Sequence, residues 1–87
     1  MTHVIRYREW PMDGEAWEIF TSGDIHKARR ELARLIKGKR GQGWFADVVK
    51  LRNQSGKLIQ RWYLFKPGHP NLAESYFIET VGKHDQH

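Results

Sequence analysis

Apolar and cationic residues between positions 24 and 37 recur with the period of a helix. Ile25, Ala28, Leu32 and Leu35 are spaced by three, four and three, with Ile36 alongside, and so line one face. Lys27, Arg30, Arg34 and Lys37 repeat the same spacings on nearly the opposite face. The first stripe predicts how the helix docks, and the second predicts a row of cations turned to solvent.

Around this helix the pattern has the period of strands. Residues 3–10 and 16–21 alternate well enough for two strands, joined at Pro11-Met12-Asp13-Gly14, where proline sets φ and Asp-Gly accommodates positive φ. Thr21-Ser22-Gly23-Asp24 supplies a Ser or Thr helix cap and an acid for the first turn. Gly38 and Gly41 are expected to stop the helix, with Lys37, Lys39 and Arg40 suiting its negative end. Residues 44–52 and 57–66 form the clearest strand pair, joined by the loop Asn53-Gln54-Ser55-Gly56. Two prolines, Pro67 and Pro70, are expected to end that pair. A last element spans 73–81. Residues 75–81 have strand composition, although a short helix starting near Asn71 also fits.

The order strand, strand, helix, strand, strand, then a further strand predicts an α+β fold. It is a ββαββ(β) two-layer sandwich with one amphipathic helix on a mainly antiparallel sheet of four or five strands. At 87 residues the chain is expected to form one domain over 1–82, with 83–87 as a frayed tail.

Pairing Arg52 with Lys57 in the second hairpin predicts what each sheet face carries. Phe45, Asp47, Val49 and Leu51 would share one face with Leu58, Gln60, Trp62 and Leu64, and meet the helix. The other face would carry Trp44, Ala46, Val48, Lys50 and Arg52 beside Lys57, Ile59, Arg61, Tyr63 and Phe65. A shift of one residue exchanges the faces. Aromatics mixed with cations on a face expected to meet water suit packing by another element, a protein interface, or a stacking platform. In the platform reading, Trp44, Tyr63 or Phe65 meets bases while Lys50, Arg52, Lys57 and Arg61 meet phosphates. Of the four tryptophans, Trp62 and then Trp17 are expected in the core.

Charge narrows the function classes. Fifteen Lys and Arg against ten Asp and Glu give a net charge of +5, which favours an acidic partner. Three cations and three glycines fall within residues 37–44, suiting a basic contact to a nucleic-acid backbone. That segment lacks the spacing of a nucleotide-binding loop and follows a helix C-terminus, where the dipole disfavours anions. There is no cysteine, and the five histidines are scattered, with His84 and His87 three apart near the end. No metal site or other cofactor is expected. No nucleophile stands beside a base and no carboxylates pair for acid–base work, so the chain is not expected to be an enzyme. Without a long apolar run or a signal-peptide pattern after Met1, a cytoplasmic protein with no membrane partner is expected.

Two roles follow. The leading one is a small non-catalytic module binding nucleic acid through Lys27, Arg30, Arg34, Lys37, Lys39 and Arg40, with Lys50, Arg52 and Arg61 as further contacts. The alternative is a protein-interaction module, a homodimer or a protein docking on an acidic surface, anchored by Trp44, Tyr63 and Phe65. In size, charge and hairpin–helix–hairpin order the chain resembles small orphan proteins of phages and other mobile elements, some of which bind and inhibit host machinery. The likeness carries no motif and transfers no residues.

Overall fold

A computed structural model describes residues 1–52, 54 and 56–82. The strands are β1 (Thr2–Glu9), β2 (Trp17–Ser22), β3 (Phe45–Arg52), β4 (Leu58–Lys66) and β5 (His69–Val81), with one helix, α1 (Ile25–Gly41), between β2 and β3. All neighbouring strands are antiparallel, in the order β2-β1-β5-β4-β3, and α1 packs on one face. This is the expected α+β sandwich, with the fifth strand at its centre. The expected tail, 83–87, and loop residues Asn53 and Ser55 lie outside the described residues.

Residues 73–81 form a strand, and that strand starts earlier than expected. Lys66 pairs with His69 across a two-residue turn at Pro67 and Gly68, whose φ is +81°. Proline followed by a positive-φ glycine satisfies a tight turn. Pro70 is tolerated because the register then shifts, with Phe65 opposite Ala73. Pro70, Asn71 and Leu72 fall in that irregularity, where a residue without an N–H costs no ladder bond.

The second hairpin closes with Arg52 opposite Leu58, one residue away from the expected pairing. The connection is therefore 53–57, and the two β3 faces exchange. On β4, Trp62 and Leu64 do face α1, and Arg61, Tyr63 and Phe65 do lie on the opposite, open face. On β3, however, Ala46, Val48, Lys50 and Arg52 belong to the helix side, while Phe45, Asp47, Val49 and Leu51 belong to the open face. The core consists of Ile5, Leu32, Ile36, Trp44, Leu64 and Tyr76, with Phe20, Leu35, Ala46, Trp62 and Ile78 packed around it. Trp44 is thus the buried tryptophan, at 9% exposure, whereas Trp17 is 58% exposed.

The helix ends explain this outcome. Asp24, not Ser22 or Thr21, is the N-cap, and its carboxylate accepts the His26 N–H at 2.9 Å. That bond holds the Asp24 carboxyl below the usual carboxylate range. The helix runs through Gly38 and ends at Gly41. Beyond it, the Gly43 N–H donates to the Arg40 carbonyl at 3.1 Å and the Trp44 N–H to the Lys39 carbonyl at 3.1 Å. With Gly43 at φ +91° this is a Schellman motif, and it turns Trp44 inward. Lys66 Nζ donates to the free Gln42 carbonyl at 2.7 Å.

Register and connection together make α1 cross the sheet diagonally. It starts after Ser22, at the end of the sheet where Ser22 pairs with His3, and finishes beside Phe45, at the end where Phe45 pairs with Phe65. One helix about 10 Å wide lies over five strands spanning about 24 Å, so two corners of that face stay uncovered.

The exchange of β3 faces gives a paired test. Trp44→Ala should destabilise the fold by about 3–5 kcal/mol in urea denaturation. Phe45→Ser should cost only about 1 kcal/mol. Equal losses, or the reverse order, would restore the other register.

Candidate nucleic-acid interface

Seven cations and one acid lie within α1, giving it +6, while the rest of the chain carries eight cations against nine acids. All the excess positive charge therefore belongs to one element of 17 residues. Its orientation decides what that charge does. Ala28, Leu32 and Ile36 are buried, and Lys27, Arg30, Arg34, Lys37 and Arg40 are exposed on the outer side. From Lys27 to Arg40 the ridge is about 20 Å long at 1.5 Å per residue.

Arg34 has a carboxylate partner. Its Nε donates to both Glu31 oxygens at 3.2 Å, and its Nη2 also contacts that carboxylate. The bond lowers the Glu31 carboxyl below its usual range. The pair spans one helical turn at the surface, with the Arg34 side chain 69% exposed. Exposed pairs of this kind are weak, so the guanidinium remains available to a phosphate.

Lys39 departs from the expectation. It lies in the last turn of α1, not in a loop, and its Nζ is 2.9 Å from Glu74 Oε1 and 4.3 Å from the centre of the Trp44 ring. Glu74 is a hub that sequence reasoning missed. Tyr76 Oη donates to its Oε1 at 2.9 Å, and Tyr7 Oη lies 3.1 Å from its Oε2 and 2.9 Å from Glu9 Oε2. Burial, then the Glu9 hydrogen bond and the Glu74 charge, raise the Tyr7 phenol far above its usual range. Burial and the Glu74 hydrogen bond likewise raise Tyr76. Only the pairing β1-β5 brings Glu9 opposite Glu74 and Tyr7 opposite Tyr76. The alternating strand pattern held no signal for that pairing.

The remaining expected contacts divide between the two sides of the sheet. Lys50 and Arg52 lie on the helix side, where they extend the cationic layer, and Arg52 Nη1 donates to the Gly56 carbonyl at 2.8 Å. Arg61 lies on the open face, its guanidinium 4.5 Å from the centre of the Phe77 ring. There Arg6 also reaches Glu79 at 3.7 Å. These guanidinium groups cover the sheet's own side chains. The stacking platform expected from Trp44, Tyr63 and Phe65 does not form as a unit. Trp44 is in the core and Tyr63 is half-buried opposite Asp47. Phe65, 42% exposed, instead meets Phe45 edge to face at 5.5 Å between centroids.

Among the described residues no group of three or more metal-ligating side chains stands close enough to hold an ion. No described helix is long and apolar enough to cross a membrane. No protein-family model, curated protein or solved structure matches the chain.

The tyrosine cluster has a pH signature. Folded Tyr7 and Tyr76 stay neutral where the unfolded chain ionises at the ordinary value of 10.0. Their raised values therefore contribute stability that is complete below about pH 10 and is lost progressively above it. Thermal melts from about pH 8 to 11 should show wild type losing stability more steeply than the Tyr7→Phe/Tyr76→Phe double variant. Equal slopes would refute this coupling. At neutral pH, Glu74→Gln should cost about 1–3 kcal/mol in urea denaturation, since it removes the charge that pairs with Lys39.

Proposed function

We propose that this protein is a small non-catalytic module that binds nucleic acid along the outer surface of α1. The observation that supports this reading is the segregation of charge: +6 on the helix, −1 elsewhere, with five cations in an exposed row. The contacts are Lys27, Arg30, Arg34, Lys37 and Arg40, with Lys50 and Arg52 on the same side of the sheet. Lys39 serves the fold, and Arg61 lies on the other side. Every ridge contact is a cation, so binding rests chiefly on phosphates and falls steeply with salt.

Fluorescence anisotropy on labelled duplex and single-stranded oligonucleotides tests this. Neutralising five phosphates gives a slope of log affinity against log salt of about −4 to −5 on duplex DNA. Arg30→Ala/Arg34→Ala should reduce the magnitude of that slope by about two and weaken binding on every sequence alike. Binding that is absent at about 50 mM salt, or that the double variant leaves unchanged, would overturn the reading.

The exposed Phe45–Phe65 pair favours a second reading, an interaction module with its anchor on the open face, serving a homodimer or an acidic protein surface. Sedimentation separates the two. A dimer weakened by Phe65→Ala supports the second, and a monomer that binds oligonucleotides supports the first.

A further inference from the structure

The diagonal course of α1 leaves a trough on the helix side of the sheet, of about 790 Å³. Its cause is visible in the ladders. The β1–β5 pairing continues to Thr2 and Val81, and the β3–β4 pairing to Arg52 and Leu58, but the β4–β5 pairing stops at Arg61 and Phe77. The β3–β4 hairpin therefore parts from β5 beneath the first half of α1. Trp62, Leu58 and Ile78 line the opening from the sheet, and Leu32 and Ile36 from the helix. Leu58 is 53% exposed there and Val48, on the same side of the sheet, 43%, so the apolar floor is open to solvent.

The trough combines this apolar lining with a cationic mouth. Arg29 borders it from α1 and Lys50 from β3. The one acid along it, Glu79, is paired with Arg6 on the opposite face and does not cancel that charge. Width also narrows the occupant. The uncovered hairpin ends of β3 and β4 span about 10 Å, the diameter of one helix. The helix of a second copy is disfavoured as that occupant, because the outer side of α1 is as cationic as the mouth it would have to enter.

We propose that this trough docks an acidic amphipathic helix of a partner protein. The apolar stripe of that helix packs on Trp62, Leu58 and Ile78 beside α1, and its flanking carboxylates meet Arg29 and Lys50. The docked helix completes the second layer of the sandwich, which one helix leaves half built. Only Lys50 belongs to both this site and the nucleic-acid contacts. The α1 ridge itself is separate, so Arg30→Ala/Arg34→Ala and Leu58→Asp let each reading fail without the other.

The test uses the isotopically labelled full chain and a synthetic acidic peptide of about four helical turns, with leucines at helical spacing and glutamates between them. Three probes accompany it: the same composition scrambled to destroy the stripe, a version with lysine for glutamate, and decanoate. The acidic amphipathic peptide should saturate amide shifts around Leu32, Ile36, Trp62 and Ile78. Lys50→Glu and Leu58→Asp, both at exposed positions, should each weaken it about tenfold. Arg30→Ala/Arg34→Ala should leave it unchanged. Equal binding by the scrambled or the lysine peptide overturns the proposal, as do shifts confined to Lys27–Lys37. Decanoate saturating the same shifts where the peptide does not would make the trough a site for small amphiphilic anions. Self-association producing those shifts without peptide would make it a dimer interface. Either result also overturns the proposal.

Discussion

The rotation of α1 about its own axis decides what this molecule shows to solvent, and the buried stripe Ala28, Leu32 and Ile36 sets it together with the Lys39–Glu74 pair. The apolar stripe goes in and the hydrated cations stay out, but one cation falls on the inner side and must find a partner there. Lys39 is the residue drawn in. It lies 2.9 Å from a carboxylate that Tyr76 also contacts at 2.9 Å, with the Trp44 ring against its charged end. The helix is thereby pinned at its C-terminal end by a charged, half-buried pair. With Lys39 turned in, the 3.6-residue period carries Leu32 and Ile36 to the sheet and Lys27, Arg34 and Lys37 away from it. The buried stripe and this one anchored cation leave the other six exposed.

The end of the helix carries the same constraint into the sheet. A Schellman turn places the residue two beyond the cap against the last helical turn, and here that residue is Trp44. Once the indole is buried, the alternation of β3 follows from it. Ala46 and Val48 must share its side, and Phe45, Val49 and Leu51 must lie on the other. The choice of Gly43 as the turning point therefore sets the composition of both sheet faces.

This also explains what the amino-acid pattern disclosed and what it concealed. The helix and its two stripes were legible because Ile25 to Ile36 keep a strict period and the cations keep the complementary one. The strands were legible for the same reason. The register of β3 was not, since Phe45, Val49 and Leu51 are as apolar as Trp44, Ala46 and Val48, and alternation alone ranks neither set. Three glycines near the helix end offered three stopping points, and only the positive φ at Gly43 distinguishes them. Pro70 suggested the end of a ladder, but a bulge accommodates it and lets β5 enter the centre of the sheet. The Glu74 hub was hidden for a deeper reason. It joins residues from both ends of the chain, Tyr7 and Glu74, through a strand pairing with no local signal.

A helix laid obliquely on a wider sheet has consequences at both uncovered corners. At one, Tyr7 packs against Trp17 at 5.6 Å and Tyr76 at 5.1 Å between centroids, so aromatic rings close the end of the core without a second helix. At the other the hairpin parts from β5, and Leu58 is left in solvent. The difference is chemical. The first corner is filled by residues that tolerate water at one edge, while the second exposes an aliphatic floor beside Arg29 and Lys50. Arg29 and Lys50 border that floor without covering Leu58, which stays 53% exposed. Burying that floor requires a partner that brings apolar surface and negative charge together, and the cationic outer side of α1 in a second copy does not supply it.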